Sequence, residues 1–189
     1  MARDQSRRVV TLDQIVQHGC DLFLSDGGVD MDALACRVAV SRATLYRVVG
    51  SRDRLLTEVV WLLTAKLLQR CCRTAGGNGV EWVIGVTRHF ASALRASESF
   101  ETFLRRDPEL AARTLFGADA VHPRTVAAQR RILVEAGLGP QDRLEEAAYL
   151  YVRIIESSLF ADLLVGAPIE DSVAERAARA VLAQMLDGP

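Results

Sequence analysis

Lysine is almost missing from this chain of 189 residues, because 22 of its 23 basic side chains are arginine and only Lys66 is lysine. A genome of biased composition can produce this skew, so each arginine is weighed by its position and not by its number. The net charge is −1, and half of the residues are hydrophobic. This composition excludes a largely disordered protein.

Long hydrophobic runs are missing as well. The apolar stretch 149–165 is interrupted by Arg153, Glu156 and Asp162, so we expect no transmembrane helix and no membrane partner. No apolar block follows the charged N-terminus, which argues against a secretory signal. The four cysteines have no CxxC spacing. We therefore expect a cytoplasmic protein whose thiols stay reduced.

Catalytic motifs are also absent, since the chain contains no GxSxG, P-loop, HExxH or GxGxxG pattern. His18, His89 and His122 lie far apart, and none has a second ligand three or four residues away in an arrangement of the HxxxH kind. The sequence thus predicts no enzyme, no cofactor and no metal site. Two less favoured hypotheses stay open: a metal site built by folding from Cys71, Cys72 and His89, and thiol sensing by either cysteine.

Apolar residues recur at helical spacing along nearly the whole chain, and no segment shows the alternation of a strand. This pattern predicts an all-α protein of about nine helices. Three short N-terminal helices precede a longer one ending near residue 72, and a final pair spans 141–165 and 169–186. We predict a helix-turn-helix domain over residues 1–55 and a C-terminal helical bundle over residues 56–189.

Positive charge is concentrated in the first of these domains. Residues 37–54 hold five arginines against one acid, which is a local charge of +4 in a nearly neutral chain. A local basic cluster of this kind is typical of a surface that contacts nucleic acid. Arg3, Arg7 and Arg8 add a basic N-terminal arm.

Two short helices within residues 31–49 have the apolar pattern that a helix-turn-helix requires. Leu34 faces the core, and Ala35 is small enough for the second helix to approach. Val40 fills the turn, while Leu45 and Val48 form the predicted buried stripe of the second helix. The other side chains of that helix are then directed outward.

The outward side chains suit the major groove of a duplex. Arg42 can donate two parallel hydrogen bonds to a guanine edge or a phosphate. Ala43 and the methyl group of Thr44 can lie against a thymine methyl group. Tyr46 and Arg47 can donate to phosphates and so fix the register.

Ser51 is predicted to cap the next helix, whose first amide groups form an anion site that Arg52 strengthens. The candidate DNA-binding residues are Ser41, Arg42, Ala43, Thr44, Tyr46, Arg47 and Arg52.

The segments Ala-Val-Ser-Arg-Ala-Thr-Leu-Tyr-Arg (39–47) and Gly-Ser-Arg-Asp-Arg-Leu-Leu (50–56) resemble the DNA-binding region of TetR-family transcriptional regulators. The family pattern is roughly Ala-Gly-Val-Ser-x-x-Thr-Leu-Tyr-x-x-Phe-x-Ser-Lys-x-x-Leu, and the match covers residues 10–60. The resemblance implies a homodimer with a small-molecule pocket in each C-terminal domain. Ligand binding would then respace the two helix-turn-helix units and release DNA.

Three positions depart from this family pattern. Ala39 replaces the glycine of the turn, and a left-handed alanine there costs about 1 kcal/mol. Val48 and Val49 stand where the family has an aromatic residue near the end of the DNA-contacting helix. Arg52 replaces the lysine after the capping serine and keeps its charge.

The resemblance also places a ligand cavity in the C-terminal domain, where we expect Trp82, Phe90 and Tyr151 to line it. Such a lining favours an apolar or amphipathic ligand. Arg153 and Glu156 either face this pocket or belong to a solvated or intersubunit stripe. The run from residue 61 through 82 to 163 resembles actinobacterial members of the family linked to lactone signal degradation.

The last two predicted helices carry apolar residues on more than one face, which predicts a homodimer through these helices. The residues are Leu150, Ile154, Ile155, Leu159, Leu163, Val173, Ala177, Val181 and Met185. The sequence favours a DNA-binding repressor that a small-molecule inducer releases from a double-stranded operator. An activator of the same fold, or a helical small-molecule carrier or enzyme with a non-functional helix-turn-helix, is the alternative.

Overall fold

A computed structural model of the protein describes residues 10–117, 119–140, 142–161 and 170–186. Within these ranges the chain forms ten helices and no strand, which confirms the all-α prediction. They are α1 (Leu12–Asp26), α2 (Met31–Arg37), α3 (Arg42–Val49), α4 (Arg52–Thr74), α5 (Gly79–Arg95), α6 (Glu98–Arg106), α7 (Pro108–Phe116), α8 (Val121–Glu135), α9 (Leu144–Leu159) and α10 (Asp171–Leu186). Among the described helices, none is long and apolar enough to cross a bilayer.

The first helices begin at polar caps that the sequence predicts. The Asp30 carboxylate accepts hydrogen bonds from the amides of Asp32 and Ala33 at 2.9 and 2.7 Å. The Ser41 and Ser51 hydroxyls accept from amides three residues later, at 3.2 and 3.1 Å. These caps satisfy amides that lack a partner within the helix, and they fix where α2, α3 and α4 start.

The helix-turn-helix packs as predicted in all but one position. Leu34 and Leu45 are fully buried, and Ala35 lies in the core beside them. The second buried residue of α3 is Val49, however, and Val48 is only half-buried. A spacing of four brings Val49 closer to the direction of Leu45 than a spacing of three brings Val48, so the buried stripe follows the i, i+4 row.

Ala39, in the turn between α2 and α3, has a φ of 55°. It is the one non-glycine residue with a positive φ in the described part of the chain. The side chain of an L-residue crowds its own carbonyl group in this conformation, so alanine is strained where glycine is not.

We predict that Ala39→Gly raises the free energy of unfolding by about 0.5–1 kcal/mol, because it relieves this strain. Urea unfolding followed by circular dichroism measures the change. The control is Ala33→Gly in the right-handed α2, which should lower stability by about 0.5–1 kcal/mol. An equal decrease in the free energy of unfolding in both variants would contradict a strained turn.

Two hydrophobic clusters form the interior, and α4 contributes to both. The first joins α1–α3, which we call the head, to α4, α6 and α7, while the second joins α4 to α5, α8, α9 and α10. The crossing of α1 and α4 is tight, since a Cβ atom at Gly19 would lie 2.7 Å from Val59 Cγ2. The predicted domain boundary between residues 55 and 56 falls inside α4 and stays a prediction.

One predicted helix, 141–165, is wrong in its extent. The structure has α9 only over Leu144–Leu159, after a turn in which the Arg143 amide donates to the Pro140 carbonyl at 3.2 Å. Phe160 leaves helical geometry, and its ring packs 5.4 Å from that of Phe116. Ala161 is again helical, so the turn at Phe160 interrupts the predicted helix. Residues 162–165 lie outside the described residues.

Candidate DNA-binding surface and ligand cavity

The solvent face of α3 carries polar and small side chains above an aliphatic core. Arg42, Ala43 and Arg47 are exposed, and Thr44 and Tyr46 are half-buried. The exposed Ser41 hydroxyl is held by the Thr44 amide at 3.2 Å and lies 3.0 Å from the Thr44 hydroxyl. The core and the Ser41 cap therefore hold this face in place, and its outer side is exposed to solvent.

Arg42 is held in place by two neighbours. Its Nη1 atom donates to both carboxylate oxygens of Asp32, at 2.9 and 3.0 Å. Its guanidinium carbon lies 5.7 Å from the centre of the Tyr46 ring, within the range of a cation–π contact. The guanidinium group is thus oriented before any ligand arrives, but it must leave or share Asp32 to bind an anion or a base.

Arg52 has a local partner that its sequence position does not reveal. Its Nε atom donates to the Val29 carbonyl at 3.3 Å, which joins the start of α4 to the loop between α1 and α2. Arg52 remains exposed beside the Ser51 cap. A phosphate role for Arg52 stays a prediction.

A cavity of about 70 Å³ lies inside the protein, with walls from α4, α5, α8 and α9. Phe90 and Tyr151, two of the three predicted ligand residues, line it together with Leu68, and their role in binding a ligand stays a prediction. Trp82 lies elsewhere: its Nε1 atom donates to the Cys72 carbonyl at 3.3 Å and anchors α5 to α4.

Buried polar groups face this apolar cavity. Gln129 is 7% exposed and lines the cavity, and its Nε2 atom has no hydrogen-bond partner among the described residues. Glu156 also lines it, and one of its oxygens lies 2.7 Å from Nδ1 of His122. Burial raises the pKa of Glu156, while His122 and Arg153 act in the opposite direction. The chemistry of the lining therefore suits an apolar molecule that carries a hydrogen-bonding group.

Tyr151 separates this cavity from a second one of about 110 Å³ that extends toward α10. Its hydroxyl lies 2.7 Å from the Thr87 hydroxyl, and both residues line the two cavities. Burial raises the pKa of Tyr151 to about 12, so the phenol stays neutral. Ile155 and Leu159 also line both cavities, so the wall between them is built from α5 and α9.

Residues 78–183 match the sequence model of the tetracyclin repressor-like C-terminal domain, which is more than half of the chain. The chain belongs to the TetR family of transcriptional regulators. The N-terminal motif and the C-terminal bundle thus independently indicate the same family.

Solved structures resemble this TetR-family regulator over nearly its whole length. The TetR-family transcriptional repressor QsdR of R. erythropolis is 25% identical, over 93% of this chain and 94% of that chain, with a TM-score of 0.78. A TetR-family regulator from Mesorhizobium loti MAFF303099 is 17% identical over 93% and 95%, with a TM-score of 0.49. The flavonoid-responsive regulator FrrA is 23% identical over 93% and 95%, with a TM-score of 0.45. No curated protein matches the chain, and the resemblance to lactone-degradation regulators stays a prediction.

The regulator also has two polar site residues that sequence reasoning missed, His122 and Gln129. His122 and Glu156 are 34 positions apart, so no local motif could pair them. Gln129 belongs to no motif that would distinguish it from the other polar residues of α8. Glu156 faces the cavity while Arg153 is exposed, so the stripe that the sequence groups together is split between interior and surface.

Burial argues against thiol sensing at three of the four cysteines. Burial raises the pKa of Cys20, Cys71 and Cys72, which keeps these thiols protonated. His89 lies 3.3 Å from the Thr74 hydroxyl. Across the described residues, no three potential ligands lie close enough to hold a metal ion.

We predict that Gln129→Met raises the free energy of unfolding of the ligand-free regulator by about 1–3 kcal/mol, because it removes a buried amide without a partner. Urea unfolding measures the change. Thr125→Val is the matched control on the same helix, because the Thr125 hydroxyl already donates to the Val121 carbonyl at 3.1 Å. A loss of stability in Gln129→Met, with Thr125→Val unchanged, would mean that the amide has a partner in solution.

Proposed function

We propose that this regulator is a sequence-specific DNA-binding repressor that acts as a homodimer in the cytoplasm and is released by a small apolar or amphipathic ligand. The observation that carries the proposal is the outer face of α3, where guanidinium, hydroxyl and methyl groups stand above a fully buried Leu45. The similarity to a TetR-family transcriptional repressor of R. erythropolis supports the direction of regulation.

The proposed contact with DNA uses α3 as the helix in the major groove. Arg42 approaches a guanine edge and exchanges the Asp32 carboxylate for base acceptors. Ala43 and Thr44 lie against thymine methyl groups, and Arg47 binds a phosphate. Ser41 keeps the start of α3 in register through its cap.

The proposed release from DNA depends on the position of the cavity between α4 and α8. A typical ligand pocket measures about 300–1,000 Å³, which is much larger than the spaces of about 70 and 110 Å³ seen here. A ligand must therefore move the walls apart. Thr64 and Leu68 on the wall belong to the same helix as Leu55 in the head core, so displacement of α4 reaches the head.

The proposed dimer uses the outer faces of α9 and α10. Leu150 and Val173 are 36% and 44% exposed, and Tyr149 beside them is 48% exposed. Exposed apolar side chains on two neighbouring helices favour association with a second copy. Leu163 and the side chain of Met185, which the sequence assigns to this interface, lie outside the described residues.

A gel shift with the duplex upstream of the chain's own gene tests DNA binding. Affinity should fall on the order of 10³-fold between 50 and 200 mM salt, because bound phosphates release counterions. A folded dimer that fails to shift this duplex at low salt would favour the alternative, a carrier or enzyme with a non-functional helix-turn-helix.

We predict that Arg42→Ala weakens binding to the specific duplex by roughly 10- to 100-fold and reduces discrimination between base sequences. Tyr46→Phe should weaken binding to specific and random duplexes equally, because it removes a hydroxyl that would donate to the DNA phosphate backbone. Arg105→Gln on the distant α6 is the charge-matched control and should bind normally. An equal loss on all duplexes for Arg42→Ala would make Arg42 a phosphate contact.

For the dimer, we predict that the double variant Leu150→Glu/Val173→Glu sediments as a monomer at micromolar concentration, because two buried carboxylates would face their own copies across the interface. Val134→Glu, which changes a 44% exposed residue on α8, is the control and should remain dimeric. Sedimentation of the unaltered chain at 20.7 kDa would contradict the dimer.

A further inference from the structure

An open groove of about 440 Å³ lies where α1, α4, α5 and α6 meet, on the outside of the protein. It is several times larger than the interior cavities and falls within the size range of small-molecule sites. We call it the α1–α4 groove.

The floor of the α1–α4 groove is apolar. Leu24 on α1 is 57% exposed, the most exposed large hydrophobic residue in the described part of the chain. Leu63 and Leu67 of α4 are half-buried beside it, and Phe100 of α6 is at the base. A continuous apolar surface that remains open to water marks a binding site more often than scattered exposed leucines do.

The rim carries charge of one sign. Lys66, Arg70 and Arg73 follow each other at spacings of four and three along α4, and none of the described residues that line the groove is acidic. Lys66 donates to the neutral Gln17 amide oxygen at 3.0 Å. Arg70 and Arg73 are exposed and have no acidic partner among the described residues.

Some other arginines of the protein do have an acidic partner. Arg42, Arg88 and Arg105 each form an ion pair with an acid at 2.8–3.0 Å. The groove therefore concentrates cations without counter-charges next to exposed hydrocarbon. That combination is complementary to a molecule with an apolar chain and an anionic end.

We propose that the α1–α4 groove binds a long-chain carboxylate, with its chain on Leu24, Leu63 and Leu67 and its carboxylate at Arg70 and Arg73. Arginine suits this end because its planar fork can donate two parallel hydrogen bonds to a carboxylate. A neutral apolar molecule would form no ion pair with the arginines of the rim. A small anion would leave the apolar floor of the groove exposed to water. The groove shares Thr64, Leu94 and Phe100 with the interior cavity but does not include Gln129. It contacts both the head and the bundle, so the bound chain also connects these parts.

The test is isothermal titration of the full-length protein with dodecanoate, dodecanol and dodecyltrimethylammonium below their aggregation concentrations. We expect saturable binding of dodecanoate, weaker binding of dodecanol and none of the cation. Arg70→Gln/Arg73→Gln should lower the affinity for dodecanoate by about tenfold or more, because charge-assisted hydrogen bonds are lost. The affinity for dodecanol should not change. Leu24→Asp should abolish dodecanoate binding by placing a like charge in the floor.

Two control variants distinguish binding in the groove from binding at surface cations elsewhere or in the interior cavity. Arg105→Gln removes a cation outside the groove and should bind dodecanoate normally, and Gln129→Met alters only the interior cavity and should also bind it. Circular dichroism establishes that each variant is folded. Undiminished affinity in Arg70→Gln/Arg73→Gln, or loss of binding in Gln129→Met, overturns the proposal, as does failure of the unaltered protein to bind dodecanoate. DNA binding plays no part in these outcomes.

Discussion

The packing of α4 is the constraint on which the rest of the structure depends. Leu55, Leu56, Val59 and Val60 are at most 3% exposed and form one core with the head. Further along the same helix, Cys71 is buried in the second core. Close packing of α1 on α4 also requires a glycine in α1, since any side chain at that position would clash. The head and the bundle therefore share one rigid element, and displacement of either part acts on the other through α4.

A single ion pair connects α4 with the helix on the opposite side of the cavity. Arg124 of α8 donates to both carboxylate oxygens of Glu58 at 2.6 and 2.8 Å, and its guanidinium lies 5.9 Å from the centre of the Trp61 ring. These hydrogen bonds lower the pKa of Glu58, so the carboxylate stays charged. Because α8 also supplies Gln129 to the cavity, a molecule that moves α8 must strain this pair.

Local features were predictable from sequence, whereas contacts between distant segments were not. The caps at Asp30 and Ser41 each depend on a few neighbouring residues, so the head could be inferred from spacing alone. Val49, and not Val48, lies in the core because a spacing of four brings it closer to the direction of Leu45, a difference that the apolar pattern alone did not resolve. The pairing of His122 with Glu156 depends on how α8 and α9 pack, which helical periodicity does not specify.

If α3 binds DNA as proposed, the contact between Arg42 and Asp32 affects how selective that binding is. An exposed ion pair is weak and is further weakened by salt. It therefore cannot prevent a bidentate contact with a base edge, but it does offset part of the attraction to any phosphate. Because Tyr46 also stacks on the guanidinium, Arg42 is oriented even when it is not bound. Leaving Asp32 costs the same for a phosphate as for a base edge, so selectivity depends on how well the new acceptors replace the Asp32 carboxylate.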